Sequence, residues 1–128
     1  MLDSARLVCF AATAKPDAAH AFYFGTLGLA LVEDTPFALV FDVAGTTLRL
    51  QKVTALTPHP FTALGWEVAD IAASVRGLAG RGVRFERYPG LSADALGIWT
   101  SPSGAKVAWF KDPDGNVLSL TEPPIVAR

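Results

Sequence analysis

The 128-residue chain is poor in several things. It has one cysteine, one methionine, two histidines and two tyrosines. A single cysteine, Cys9, excludes an internal disulfide framework and a thiolate metal site. It lies in an apolar run and reads as a small core residue. Charge is also scarce, at 18% of residues with a formal net charge of -1. There is no basic footprint, so neither nucleic acid nor an anionic membrane is expected as a partner. No apolar run approaches the about 20 residues of a membrane-spanning helix. The first residues lack the basic-then-apolar pattern of a secretory signal, and the cytoplasm is the expected location.

What the chain has in quantity is apolar side chains, at 51%. That is slightly high for a soluble domain and points to an extra buried surface, a pocket or a subunit interface. A chain of this length is one domain, able to bury roughly two-thirds of its unfolded surface without a disulfide or metal.

The most informative stretch is Phe110 to Glu122. Asp112-Pro113-Asp114-Gly115-Asn116 gathers turn formers: proline fixes φ at a corner, and glycine takes positive φ without penalty. Apolar, β-prone runs flank it, which is the sequence form of a β-hairpin. Earlier in the chain, Leu7–Thr13 reads as a strand. A helix opens at Lys15-Pro16-Asp17 and runs to about Gly25, with Ala18, Ala21, Phe22 and Gly25 at helical spacing on one face. Gly28 stops it. Strands follow over Leu29–Val32, Phe37–Val43 and Thr46–Val53, with an Ala44-Gly45 turn between the last two. Thr54–Pro60 is a linker. The order then restarts: a strand over Thr62–Val68, and a helix capped by Asp70 that buries Ile71, Val75, Leu78 and Ala79. A strand over Val83–Arg87, an irregular loop over Tyr88–Leu96, a short extended piece over Gly97–Thr100 and the closing pair complete the pattern. From Pro123 the chain is too rich in proline to continue a sheet.

The element order is βαβββ, linker, βαβββ, an internal repeat. Gly45-Thr46-Thr47-Leu48-Arg49-Leu50-Gln51 aligns without a gap against Gly115-Asn116-Val117-Leu118-Ser119-Leu120-Thr121, matching the glycine and both leucines. The divisions are residues 1–55 for the first module, 56–61 for the linker and 62–122 for the second.

A doubled βαβββ unit closing on Asp-Pro-Asp-Gly-Asn resembles the vicinal oxygen chelate superfamily of glyoxalase I, bleomycin-resistance proteins and extradiol dioxygenases. Phe22-Tyr23…Leu27-Gly28-Leu29, Trp66-Glu67-Val68-Ala69-Asp70-Ile71 and Leu78-Ala79-Gly80-Arg81-Gly82-Val83 resemble its other signatures. The resemblance implies an α+β fold in which each module is a curled mixed sheet with a helix on its outer face, the two forming a shared cavity. It also implies homodimers and, in many members, a divalent metal held by His, Glu or Gln on the first and last strands of each module.

The positions matching those ligands carry other residues. Ser119 stands four residues past Gly115, where metal-binding relatives carry a glutamate, and Arg49 is its counterpart in the repeat. The first strands offer Val8, or Phe10 after a register slip, and Ala63. These side chains cannot assemble a divalent site, so no metal cofactor is expected. Neither His20, in the first helix, nor Glu122, on the opposite strand face from Ser119, repairs the set.

Alternation places Thr47, Arg49, Gln51, Ala63, Gly65, Glu67, Val117, Ser119 and Thr121 on the cavity face. It places Leu48, Leu50, Leu64, Trp66, Val68, Leu118 and Leu120 against the helices. Arg49 and Glu67 then serve either as a ligand anchor, with Glu67 as a proton acceptor, or as an internal salt bridge. Trp99, after the irregular loop, is a candidate to stack on a planar ligand. One of Trp109 and Phe110 faces the cavity. His59 sits in the linker, either at the cavity mouth or as a turn residue. Gln51 and Ser119 complete the candidate binding set. The expected function is metal-independent binding of a small molecule, such as sequestration of a toxic or antibiotic compound. The alternative is a lyase, isomerase or dioxygenase-like enzyme that uses Glu67 and Arg49.

Overall fold

Alternation along the strands decides the architecture. In β4 (Thr46–Lys52), Leu48 and Leu50 are buried while Arg49 is half-buried and Gln51 exposed. Each such strand offers one apolar face to a helix and a mixed face to the other side. The computed structural model describes residues 1–125, in two compact units that divide after Pro58.

The first unit holds β1 (Val8–Thr13), a helical segment, β2 (Ala30–Asp34), β3 (Ala38–Val43) and β4. Its sheet runs in the order β1-β4-β3-β2, with β1 parallel to β4 and the other pairs antiparallel. The helical segment begins as α1 (Pro16–His20) and continues as a π-helical turn over Ala21–Thr26, where the Leu27 N–H donates to the Phe22 carbonyl. The expected stripe of Ala18, Ala21, Phe22 and Gly25 is corrected by the structure. The buried residues are Ala19 and Tyr23, one position further on. The Tyr23 ring takes the place over the sheet, 5.9 Å from Phe41, and turns Ala18 and Ala21 outward. A bulge between Leu31 and Glu33 in β2 leaves Val32 exposed.

The second unit holds β5 (Thr62–Glu67), α2 (Ile71–Ala79), β6 (Phe85–Glu86), β7 (Trp99–Thr100), β8 (Lys106–Lys111) and β9 (Val117–Glu122). Its sheet runs β5-β9-β8-β6, with β5 parallel to β9, and β7 also pairs with β8. β6 and β7 therefore share one side of β8: the strand that is continuous as β2 in the first unit is interrupted here by residues 87–98. Both units follow the βαβββ order, which fixes the fold as α+β.

α2 packs on β8 and β9 through the buried Ile71 and Val75. Leu78 is only half-buried and Ala79 is exposed, so the stripe is narrower than expected. Asp70 caps the helix by accepting the Ala73 N–H at 3.1 Å. Glu122 reaches back from the end of β9 and accepts the Ile71 N–H at 3.0 Å, satisfying a second helix-end donor. In the closing turn the buried Asp112 accepts from the N–H groups of Asp114 and Asn116 and from the Asn116 side-chain amide, while Gly115 adopts φ +91°. Among the described residues no helix is long and apolar enough to cross a membrane.

Candidate functional site

The face of the second sheet opposite α2 is where aromatic side chains converge. Along β8, Ala108 and Phe110 are fully buried and alternate with Val107 and Trp109 on the other face. Trp109 opposes Ser119 on β9 and Glu86 on β6, and Trp99 opposes Val107. Tyr88, two residues beyond Glu86, meets the Trp109 ring edge-on at 5.5 Å. Trp99 lies 5.9 Å from Trp109 on its other neighbour position, with the rings inclined by 34°. These are attractive aromatic geometries that fix the rings relative to one another.

Beside this cluster the neighbouring strands carry small residues. Gly65, Ser119 and Trp109 are successive neighbours across β5, β9 and β8, so a bare backbone and a short hydroxyl side chain lie next to the large indole. Pro60, Phe61, Thr62, Tyr88, Trp109 and Val117 line an open depression of about 200 Å³. His59 is not part of that lining; it stacks on Phe61 at 4.9 Å and 11°.

Glu67 lies on the same face by register, opposite Thr121, but borders a different depression. That one, of about 480 Å³, is formed by Glu67, Val68 and Ala69 with Glu122 and the Pro123–Ile125 segment. Glu122 is engaged with the α2 N-terminus and lies 3.9 Å from the Lys106 Nζ. Glu67 is exposed, and among the described residues of its own unit it makes no hydrogen bond or ion pair.

In the first unit, Arg49 stands between Phe10 on β1 and Val40 on β3, with Thr47 and Gln51 on the same face. Phe10 is 54% exposed and Val40 is buried. The half-buried guanidinium makes no hydrogen bond or ion pair among the described residues of its unit; the ion pair on this strand is Lys52 with Asp34, at 2.6 Å.

The register refines the comparison with metal-binding relatives. Phe10, rather than Val8, lies beside Arg49, and Gly65, rather than Ala63, lies beside Ser119. Ala63 itself falls in the bulge between Thr62 and Leu64. Phenylalanine, arginine, glycine and serine do not fit a divalent cation, since they supply neither carboxylate nor imidazole and one of them is itself a cation. Among the described residues no three His, Cys, Asp or Glu side chains gather to hold a metal ion.

The trio of Tyr88, Trp99 and Trp109 also sorts the sequence-based candidates. Trp99 and Ser119 are brought to the Trp109 face. His59 and Glu67 lie aside from it, and Arg49 and Gln51 belong to the other unit. Trp109 was the residue that alternation left undecided. Phe61, placed in no motif, joins the lining through the end of the linker.

A repeated βαβββ order, two mixed sheets and the Asp112–Asn116 turn define a known class, and the chain belongs to the glyoxalase/bleomycin resistance protein/dioxygenase superfamily, whose model matches residues 7–120. Among solved structures it is similar to TnmS3, an antibiotic binding protein from Streptomyces sp. CB03234. The two are 27% identical, with a TM-score of 0.72, covering 96% of this chain and 98% of that one. A superfamily member from Sphaerobacter thermophilus is 24% identical with a TM-score of 0.74, over 95% and 99% of the chains. Lactoylglutathione lyase from Agrobacterium tumefaciens shares the fold at 19% identity and a TM-score of 0.69, over 93% of each chain. A comparison with the curated proteins gave no match.

Proposed function

We propose that this chain binds a planar, largely apolar small molecule without a metal ion, as a sequestering protein of the resistance type. The observation that carries this reading is the Tyr88–Trp109–Trp99 cluster, of which Tyr88 and Trp109 line the open depression. Flat rings held at fixed positions offer large contact area at little entropic cost, and a ligand ring can pack against them. The 200 Å³ depression is smaller than the about 300–1,000 Å³ of sites that enclose a whole drug-sized molecule, so it suits one ring system of a larger ligand. The likeness to TnmS3 supports the same class of activity. In the first unit, Arg49 and Gln51 share one face of β4 and are polar groups suited to an oxygen-rich ligand group. The donor chemistry at the family's ligand positions supports metal independence.

We place the protein in the cytoplasm as a homodimer. Apolar side chains left exposed, such as Phe10, Phe24 and Phe37, support a further interface.

The deciding experiment titrates the protein with a panel of planar polycyclic compounds, following tryptophan fluorescence and heat. Saturable quenching is expected, and lost or strongly weakened in Trp109→Ala and Trp99→Ala. Binding unaffected by both substitutions would overturn the assignment of the site. Elemental analysis separately tests metal independence: about one zinc, iron, nickel or manganese per chain after purification would refute it.

A further inference from the structure

The segment that interrupts the second sheet is closed on itself by two side chains, Arg87 and Asp94, and by backbone hydrogen bonds. The Arg87 guanidinium donates to the carbonyl oxygens of Ala93, Asp94 and Ala95, at 3.5, 2.8 and 3.2 Å. Asp94 ties down the return path: its Oδ1 accepts from the N–H groups of Leu96 and Ile98, each at 2.9 Å, and its own N–H donates to the Ile98 carbonyl. Gly97 turns the chain at φ +87°, and a Cβ there would lie 3.1 Å from the Phe85 Cβ, so the return passes close over the start of the segment.

The two ends of this closed segment are the two flanks of the aromatic cluster. Arg87 directly precedes Tyr88, and Ile98 directly precedes Trp99. β6 and β7 contribute two residues each, and one further bridge pairs Ala93 with Trp99. The spacing between Tyr88 and Trp99 is therefore set by how the intervening segment is tied. A guanidinium suits that task because its planar array of donors reaches several carbonyls at once, which a lysine ammonium does not reproduce.

We propose that Arg87 is a positioning residue for the aromatic face: by closing residues 87–98 on themselves it fixes Tyr88 and Trp99 on either side of Trp109, and so sets the width of ring system the face accepts. The consequence for ligand width rests on reading that face as a binding surface. The positioning itself is testable without any ligand. Arg87 is exposed, so its bonds compete with water and contribute little to global stability; its removal acts on local order.

The test uses the full chain and the circular-dichroism exciton couplet of the Trp99–Trp109 pair, identified as the signal lost in Trp99→Phe. In Arg87→Ala the couplet is expected to be largely lost while the urea midpoint stays close to that of the parent protein. Arg87→Lys is expected to fall between the two, and it carries the same test should Arg87→Ala fold poorly. Affinity for acridine orange, a planar tricyclic cation suited to indole faces, is expected to fall about tenfold in Arg87→Ala. An unchanged couplet in both variants, or a couplet that falls only in step with lost folded protein, would overturn the proposal. If the parent protein binds no tricyclic probe while the couplet still depends on Arg87, the binding reading fails and the positioning role stands.

Discussion

Gly65 lies beside Ser119 in the parallel pairing of β5 with β9, and a Cβ at position 65 would stand 2.7 Å from the Ser119 Oγ. Real contacts of that kind do not occur, so the hydroxyl must move. Ser119 is 7% exposed and has little room to do so. Gly65→Ala is expected to destabilise the protein by about 1–2 kcal/mol, through overpacking partly offset by the lower entropy of the unfolded chain. Ser119→Ala removes the obstructing atom. The double variant should recover part of the loss, which a double-mutant cycle from urea denaturation measures as favourable coupling.

Trp109 and Phe110 are neighbours in sequence with opposite tasks. Phe110 is fully buried against α2, within ring contact of Phe85 and Trp66. Phe110→Ala is expected to cost about 3–5 kcal/mol of stability, as large core deletions do. Trp109 is half-buried on the other face. Trp109→Ala should cost clearly less in thermal or urea unfolding while weakening ligand binding by about tenfold or more. Equal stability losses for the two would contradict the assignment of faces.

The contrast between these two residues shows what was legible beforehand. Alternation of apolar and polar residues along β4 and β9 assigned Leu48, Leu50, Leu118 and Leu120 to the helix side, because a slip of one residue would bury Arg49. Alternation alone could not choose between Trp109 and Phe110, since either phase leaves one aromatic on each face; the register with β9 decides it. The stripe on the first helix was misread because the π-helical turn and the Tyr23–Phe41 contact are tertiary outcomes with no local signal. The Tyr88–Leu96 loop was recognised from its glycine and proline. That it splits one strand into β6 and β7, and so delivers two aromatics to Trp109, depends on pairing with β8.

A stabilising change is also expected. Ala44 and Gly45 join β3 to β4 with both residues at positive φ, +48° and +88°. Two-residue hairpins of this kind favour Asn-Gly, whereas alanine is disfavoured in the left-handed region. Ala44→Asn should raise stability by about 0.5–1 kcal/mol, read as a higher urea midpoint with an unchanged slope. A lower midpoint would show that the turn gains nothing from a residue suited to positive φ.

Arg49 separates a structural from a binding role for the charges on the mixed strand faces. If its guanidinium were held in an internal ion pair, deleting one partner would strand the other and cost about 3–5 kcal/mol. Within its own unit it has no such partner among the described residues, and it rests between Phe10 and Val40. Arg49→Met keeps the aliphatic contact area and removes the charge. It is expected to leave stability within about 0.5 kcal/mol, or to raise it slightly. Its effect should appear in binding: compounds bearing a carboxylate or phenolate should lose about tenfold in affinity, and neutral analogues should lose little. A large stability loss with unchanged ligand discrimination would instead assign Arg49 to the framework.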